Sequence, residues 1–182
     1  MEYKFNKDYL SDETTPRPTR EGQWRGSVFY LSLGTNLGDK EKNLRRAVSE
    51  LEKRTGTVVS QSAFFVTEPW GFESENTFLN LCLGLHSTLS PHELLLKTQE
   101  IERCLGRTRK STDGGYHDRL IDIDLLLCGD LIVSEPDLKI PHPLMHERLF
   151  VLRPLAQIAQ RQKVPGTGMS VGEMLSALEA RS

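Results

Sequence analysis

The sequence predicts an α+β fold on three observations. Segments of β and helical periodicity follow one another as strand, helix, strand, strand, helix, strand, strand, helices. That is the βαββαβ order, with additions, of a ferredoxin-like αβ sandwich, an antiparallel-rich sheet flanked by helices. Residues 78–86 alternate without a break, Leu79, Leu81, Leu83 and Leu85 on one face and Phe78, Asn80, Cys82 and Gly84 on the other, the period-two signature of a strand. Ser90-Pro91-His92-Glu93 and Ser170-Val171-Gly172-Glu173 are capping boxes. Each opens a helix because the Ser hydroxyl and the Glu carboxylate both satisfy otherwise orphaned amides.

Residues 1–26 are polar and carry Pro16, Pro18 and Gly22. They read as a poorly ordered extension preceding a single domain of residues 27–182. Residues 28–33 form a short strand, 34–38 a turn, and Asp39 an N-cap. The helix over 40–54 places Leu44, Val48 and Leu51 at helical spacing, with Gly56 ending it. Residues 57–66, rich in β-branched and aromatic side chains, read as one strand, and 67–76 as a turn-rich loop. The helix opened by Ser90, with Pro91 at its first position, runs to Leu105 and stops at Gly106. A basic, glycine-containing loop over 107–117 leads into the strand that carries Asp122 and Asp124, with Arg119 near its entrance. Gly129-Asp130 predicts a hairpin into 131–133. Pro141 and Pro143 exclude helix interior around His142. Residues 147–159 hold one or two short helices broken near Pro154, and a last helix runs to about Ala180.

The 182 residues suffice for one full core. A net charge of −2 gives no global attraction to nucleic acid or to an anionic membrane, so any phosphate binding requires a local basic cluster. Three scattered cysteines without a CxxC pair fit reduced thiols in a cytoplasm. No apolar run reaches membrane-spanning length.

The chemistry concentrates in Tyr116-His-Asp-Arg-Leu-Ile-Asp-Ile-Asp-Leu-Leu-Leu-Cys-Gly129. On a strand, Asp122 and Asp124 share a face with Leu120 and Leu126, while Ile121, Ile123, Leu125 and Leu127 face the core. Two carboxylates about 7 Å apart on an apolar strand disfavour joint ionisation unless a cation relieves them. Hard divalent cations such as Mg²⁺ take carboxylate and phosphate oxygens. The same pattern also fits a wet strand face on which both aspartates meet water or Arg119. Arg107, Arg109, Lys110 and Arg119 surround the loop before the aspartates, and guanidinium forks match phosphate oxygens. Phe78 and Asn80, opposite the leucines, offer stacking plus donor and acceptor groups to a flat heterocycle, or simply a packing Phe and a surface Asn. His142, set between two prolines, suits a phosphate contact or a proton relay, or simply a structural hydrogen bond. No P-loop, Rossmann, GxSxG or HExxH pattern occurs.

Taken together, these residues resemble the 6-hydroxymethyl-7,8-dihydropterin pyrophosphokinase family of folate biosynthesis over residues 28–159. The resemblance rests on Arg119-Leu120-Ile121-Asp122-Ile123-Asp124-Leu125, on Leu33-Gly34-Thr35-Asn36-Leu37, on Phe78-Leu79-Asn80, and on Gln99, Glu102, Gly106-Arg107-Thr108-Arg109 and Pro141-His142 in the same order. It implies a cytoplasmic, monomeric enzyme whose partners are the small-molecule substrates ATP and 6-hydroxymethyl-7,8-dihydropterin, with no nucleic-acid or membrane partner. The β,γ-pyrophosphoryl group of ATP passes to the hydroxymethyl group, releasing AMP. Two Mg²⁺ ions are implied on Asp122 and Asp124. The implied nucleotide residues are Gln99, Glu102, Arg107, Arg109, Lys110, Arg119, Ile123, His142 and Arg148. The implied pterin residues are Thr67, Trp70, Phe78, Asn80, Tyr116 and Phe150. Catalytic roles fall to Asp122, Asp124, Arg107 and Arg119. Other readings of the same residues are a Mg-ATP transferase with another heterocyclic acceptor, and a non-catalytic RNA or metabolite module. The acidic pI of 6.2 and the missing RNA-type aromatic motifs weigh against RNA. The family pattern is departed from at Gly115, Tyr116 and Asp118, where the family often has Arg, Trp and Pro, and at Glu68, Trp70 and Pro143. Asp118 in particular adds a negative charge near the expected phosphates.

Overall fold

The computed structural model describes residues 24, 26–69, 75–106 and 118–181. The elements run β1 (Ser27–Thr35), α1 (Lys40–Thr55), β2 (Thr57–Gln61), β3 (Phe65–Thr67), β4 (Phe78–Ser87), α2 (Pro91–Cys104), β5 (Asp122–Cys128), β6 (Val133–Ser134), β7 (Lys139–Ile140), α3 (Leu149–Ala159) and α4 (Val171–Glu179), with a 3₁₀ turn at Met145–Glu147. The main sheet has the order β2-β4-β1-β5, with β3 also pairing β4, and its pairings are antiparallel. Strand β4 fills the gap between β1 and β2, as the split βαβ arrangement requires.

Alternation sorts the side chains to two cores. On one face Phe29, Leu31, Leu33, Leu81, Leu83, Leu85, Ile121, Ile123 and Leu125 pack against Leu44, Val48 and Leu51 of α1 and Leu94 and Ile101 of α2. On the other, Cys82, Leu126 and Leu127 pack against Val151, Leu152 and Leu155 of α3 and Val171 and Met174 of α4. Trp24 packs against the first core; residues 1–23 of the N-terminal extension lie outside the described residues. Asp39 caps α1 by accepting from the Lys42 amide, and both capping boxes form. Among the described residues no helix is long and apolar enough to cross a membrane.

Four local expectations are corrected. The strand expected over 57–66 is two, because the Ser62 hydroxyl accepts from the Cys82 amide at 2.9 Å in place of a ladder carbonyl, and residues 62–64 leave the sheet. Leu127 faces the second core, not the first: Tyr30 is opposite Leu127 while Leu31 is opposite Leu125, so Leu126 bulges and the alternation inverts beyond it. After the turn at Gly129 the chain does not return along β5. Leu131 and Val133 pack on the first core, and Val133–Ser134 pairs with Lys139–Ile140 one turn later. Pro154 lies inside an unbroken α3. The missing amide costs one helical bond, and burial of the Val151, Leu152, Pro154 and Leu155 stripe offsets it.

Core and surface positions are expected to differ sharply. Leu83 is fully buried whereas Val66 is 69% exposed. Leu83→Ala is expected to lower the unfolding free energy by about 2–5 kcal/mol, and Val66→Ala by less than about 0.5 kcal/mol, measured by denaturant titration.

Candidate active site

The antiparallel register lines up a row of side chains across the sheet. Gly34 lies opposite Asn80 on one side and Asp122 on the other, and Ser32 lies opposite Cys82 and Asp124. In the outer register Phe65 faces Asn80 and Thr67 faces Phe78. The face carrying these residues is the one covered by α3 and α4. At the Asp122 end it is open, and a cleft holding about 510 Å³ of free space, counting the part open to solvent, forms there. Its lining joins Asp122, Asp124, Arg119 and Arg148 to Phe78, Asn80, Thr67 and Phe150, with Ser32, Gly34 and Glu68 completing it.

The anionic half of the cleft is built on β5. The Arg119 Nη1 lies 2.6 Å from Asp122 Oδ2, and the Arg148 Nη1 lies 3.9 Å from Asp124 Oδ2. Arg148 is almost fully buried and its guanidinium also lies 5.7 Å from the centre of the Phe150 ring, a cation–π distance. Although 36% of the Asp124 side chain reaches solvent, desolvation and then the neighbouring Asp122 push its carboxyl up to about 7, against the pull of Arg148. Two carboxylates that resist joint ionisation and present oxygen ligands from one face suit a hard divalent cation.

His142 reaches the same region through the bulge in β5: its amide donates to the carbonyl of the bulged Leu126 at 2.9 Å. Its Nδ1 accepts from the Leu144 amide at 3.2 Å, which assigns the ring proton to Nε2. Burial, then Arg148, pushes the imidazole down to about 4. A neutral ring presenting an Nε2–H donor is the result near pH 7.

The amide and aromatic half is built on β4. Asn80 is nearly inaccessible, and its Nδ2 donates to the Thr67 hydroxyl at 2.8 Å. A Cβ on Gly34 would sit 2.8 Å from the Asn80 Oδ1, so the absence of a side chain at that position makes room for the amide. Phe78 and Phe150 both line the cleft, where flat rings can stack.

Eight residues singled out in the sequence therefore meet in one cleft: Thr67, Phe78, Asn80, Arg119, Asp122, Asp124, Arg148 and Phe150. Glu102 does not line it. Its buried carboxylate accepts from the Ile123 amide at 2.8 Å, behind β5, and Ile123 itself faces the first core. Gln99 is half-exposed on α2, outside the cleft lining. Arg107, Arg109, Lys110, Trp70 and Tyr116 lie outside the described residues. Ser32 and Gly34 were not singled out for the cleft, yet strand alternation carries their signal: they are the small residues between the inward-facing Leu31 and Leu33 and beyond.

The chain is similar to known proteins in sequence and in fold. The family described as 7,8-dihydro-6-hydroxymethylpterin-pyrophosphokinase (HPPK) matches residues 30–160. A Porphyromonas gingivalis protein named 2-amino-4-hydroxy-6-hydroxymethyldihydropteridine pyrophosphokinase is 50% identical over 134 residues, covering 73% of this chain and 91% of that protein. A Bacillus subtilis protein of the same name is 42% identical over 142 residues, covering 78% of this chain and 83% of that protein. A crystal structure of Plasmodium falciparum HPPK-DHPS superposes with a TM-score of 0.70 at 14% identity, covering 95% of this chain and 47% of that one. The chain thus spans just under half the length of that structural relative, and the likeness shows the fold.

The two perturbed groups predict opposite pH effects. Asp124 titrates near 7 when folded, against 3.8 ordinarily. The folded state then holds the extra proton between those values, and stability falls as pH rises from about 4 to about 7. His142 titrates near 4 when folded, against 6.5 ordinarily, so its contribution rises with pH over about 4 to 6.5 and is lost as pH falls. The metal-free protein is expected to lose stability relative to Asp124→Asn as pH rises from 5 to 8, read by thermal unfolding at each pH.

Proposed function

The chain belongs to the 7,8-dihydro-6-hydroxymethylpterin-pyrophosphokinase family, and from that premise we propose how its own residues perform the reaction. The enzyme transfers the pyrophosphoryl group of ATP to 6-hydroxymethyl-7,8-dihydropterin in folate biosynthesis. The hydroxymethyl oxygen forms a bond to the β-phosphorus, the bond between that phosphorus and the oxygen bridging to the α-phosphorus breaks, and AMP departs. The observation that carries this reading is the single cleft in which two aspartates and two arginines face an aromatic and amide pair.

Asp122 and Asp124 are the groups to hold Mg²⁺, two ions on this reading, because they are the paired hard oxygen donors of the cleft. Bound there, Mg²⁺ supplies charge neutralisation on the phosphates and orientation of their oxygens. Arg119 and Arg148 add guanidinium donors to developing phosphate charge, and the His142 Nε2–H offers a neutral donor on the nucleotide side. Arg107, Arg109 and Lys110 are further phosphate contacts, and Gln99, Glu102 and Ile123 belong to the nucleotide side, Glu102 by fixing the backbone between the two aspartates. Asn80 and Thr67 read the polar edge of the pterin, and Phe78 and Phe150 hold its ring; Trp70 and Tyr116 are carried over as further pterin contacts from the family resemblance alone. Among the described cleft residues the carboxylates are the available acceptors for the hydroxyl proton. Positioning and charge neutralisation account for most of the catalysis, as pyrophosphoryl transfer asks little covalent chemistry of the protein. Residues 27–182 act as a single cytoplasmic domain, monomeric and without nucleic-acid or membrane partners; the near-neutral net charge supports the last two.

Asp122→Ala is expected to lower kcat for AMP formation by at least about 100-fold, as removal of preorganised charge stabilisation does, measured by chromatography of AMP with ATP, Mg²⁺ and the dihydropterin. A rate within about tenfold of the parent contradicts the assigned role. Gly34→Ala, which drives a methyl group into the Asn80 amide, is expected to raise the KM for the pterin by about tenfold or more while the KM for ATP stays within about threefold.

A further inference from the structure

Asp118 reads from sequence as an unwelcome negative charge beside phosphates. The structure gives its carboxylate another use. Oδ1 accepts from the Asn36 Nδ2 at 2.6 Å, and Oδ2 accepts from the Asn76 Nδ2 at 3.2 Å. Asn36 in turn brackets the next residue: its Oδ1 accepts from the Arg119 amide at 2.8 Å, and its own amide donates to the Arg119 carbonyl at 3.2 Å. Because the Arg119 amide must face an oxygen, the orientation of the Asn36 side chain is fixed, and its Nδ2 is the group turned to Asp118. Asn36 is 1% exposed, so its side of the network is shielded from water, while Asp118 is exposed and its bond to Asn76 lies at the surface.

Three segments meet at this carboxylate. Asn36 belongs to the turn after β1. Arg119 carries the guanidinium that sits on Asp122 in the cleft. Asn76 lies two residues before Phe78, which opens β4 and lines the amide and aromatic half. The intervening Thr77 is itself tied to the start of α1, its carbonyl and hydroxyl accepting from Lys40 Nζ at 2.6 and 3.0 Å.

We propose that Asp118 is a positioning residue that clamps the arginine on the nucleotide side to the strand start on the pterin side, so that the two substrates are held at a fixed separation. This rests on the functional reading above. Asp118 touches neither substrate; it acts through Arg119 and Phe78. Loss of the clamp leaves each half-site able to bind and spoils their alignment. A misplacement of about 1 Å can cost on the order of 100-fold in rate, so the loss falls on kcat and not on either KM.

The test is steady-state AMP formation with each substrate varied, on the full chain, for Asp118→Ala, Asp118→Asn, Asn76→Ala and the Asp118→Ala/Asn76→Ala double variant. Asp118→Ala is expected to lower kcat by about 10- to 100-fold with both KM values within about threefold. Asp118→Asn keeps one acceptor for two amide donors and is expected to fall between it and the parent. The double variant is expected to be no slower than Asp118→Ala. A kcat for Asp118→Ala within twofold of the parent, a loss confined to KM, or losses that multiply in the double variant overturns the proposal. If Asp118→Ala does not fold, Asp118→Asn and Asn76→Ala carry the same comparison. If the parent forms no AMP, the functional reading fails, and the clamp is judged by amide exchange at residues 75–79 and 118–122. Exchange at least tenfold faster in Asp118→Asn supports it; unchanged exchange overturns it.

Discussion

Two carboxylates on one strand face, close enough to oppose each other's ionisation, are the constraint around which the structure is arranged. Asp122 and Asp124 are placed there by the two-residue period of β5, and that period cannot be altered without turning Ile123 out of the core. The surroundings answer the charge from two directions. Arg119 meets Asp122 from the chain entering the strand, and Arg148 meets Asp124 from the start of α3. Even so, the Asp124 carboxyl is held well above its ordinary range. On the proposed reading, this arrangement is a pair of oxygen donors that would hold divalent cations.

The sheet then brings the amide and aromatic side chains to the charge. Gly34 stands between Asp122 and Asn80 in a single row, so one strand separates the aspartate side of the cleft from its amide and aromatic side. A glycine at that position lets the amide approach. The bulge at Leu126 serves both halves of the molecule: it inverts the alternation so that Leu127 joins the second core, and its carbonyl holds the His142 amide. Thus packing and site geometry draw on the same irregularity.

Much of this was legible in the sequence. The leucine alternation of β4, the capping boxes and the Asp122–Asp124 spacing are short-range signals, and short-range physics determines them. The features that were not legible depend on partners distant in the chain. The bulge exists only against β1. The break at 62–64 depends on Ser62 bonding Cys82. The unbroken helix through Pro154 depends on the core it covers. The destination of Glu102 was equally hidden, since only the fold reveals that its carboxylate lies behind β5 and holds the Ile123 amide. Asp118 looked like a liability because Asn36 and Asn76, its partners, are 82 and 42 residues away.

The central claim is that the aspartate pair binds nucleotide through divalent cations, and calorimetric titration with a non-hydrolysable ATP analogue addresses it most directly. The account predicts binding that requires Mg²⁺ and is lost in the Asp122→Asn/Asp124→Asn variant while that variant remains folded. Equal affinity with and without Mg²⁺, or undiminished Mg²⁺-dependent binding by the double variant, would contradict it.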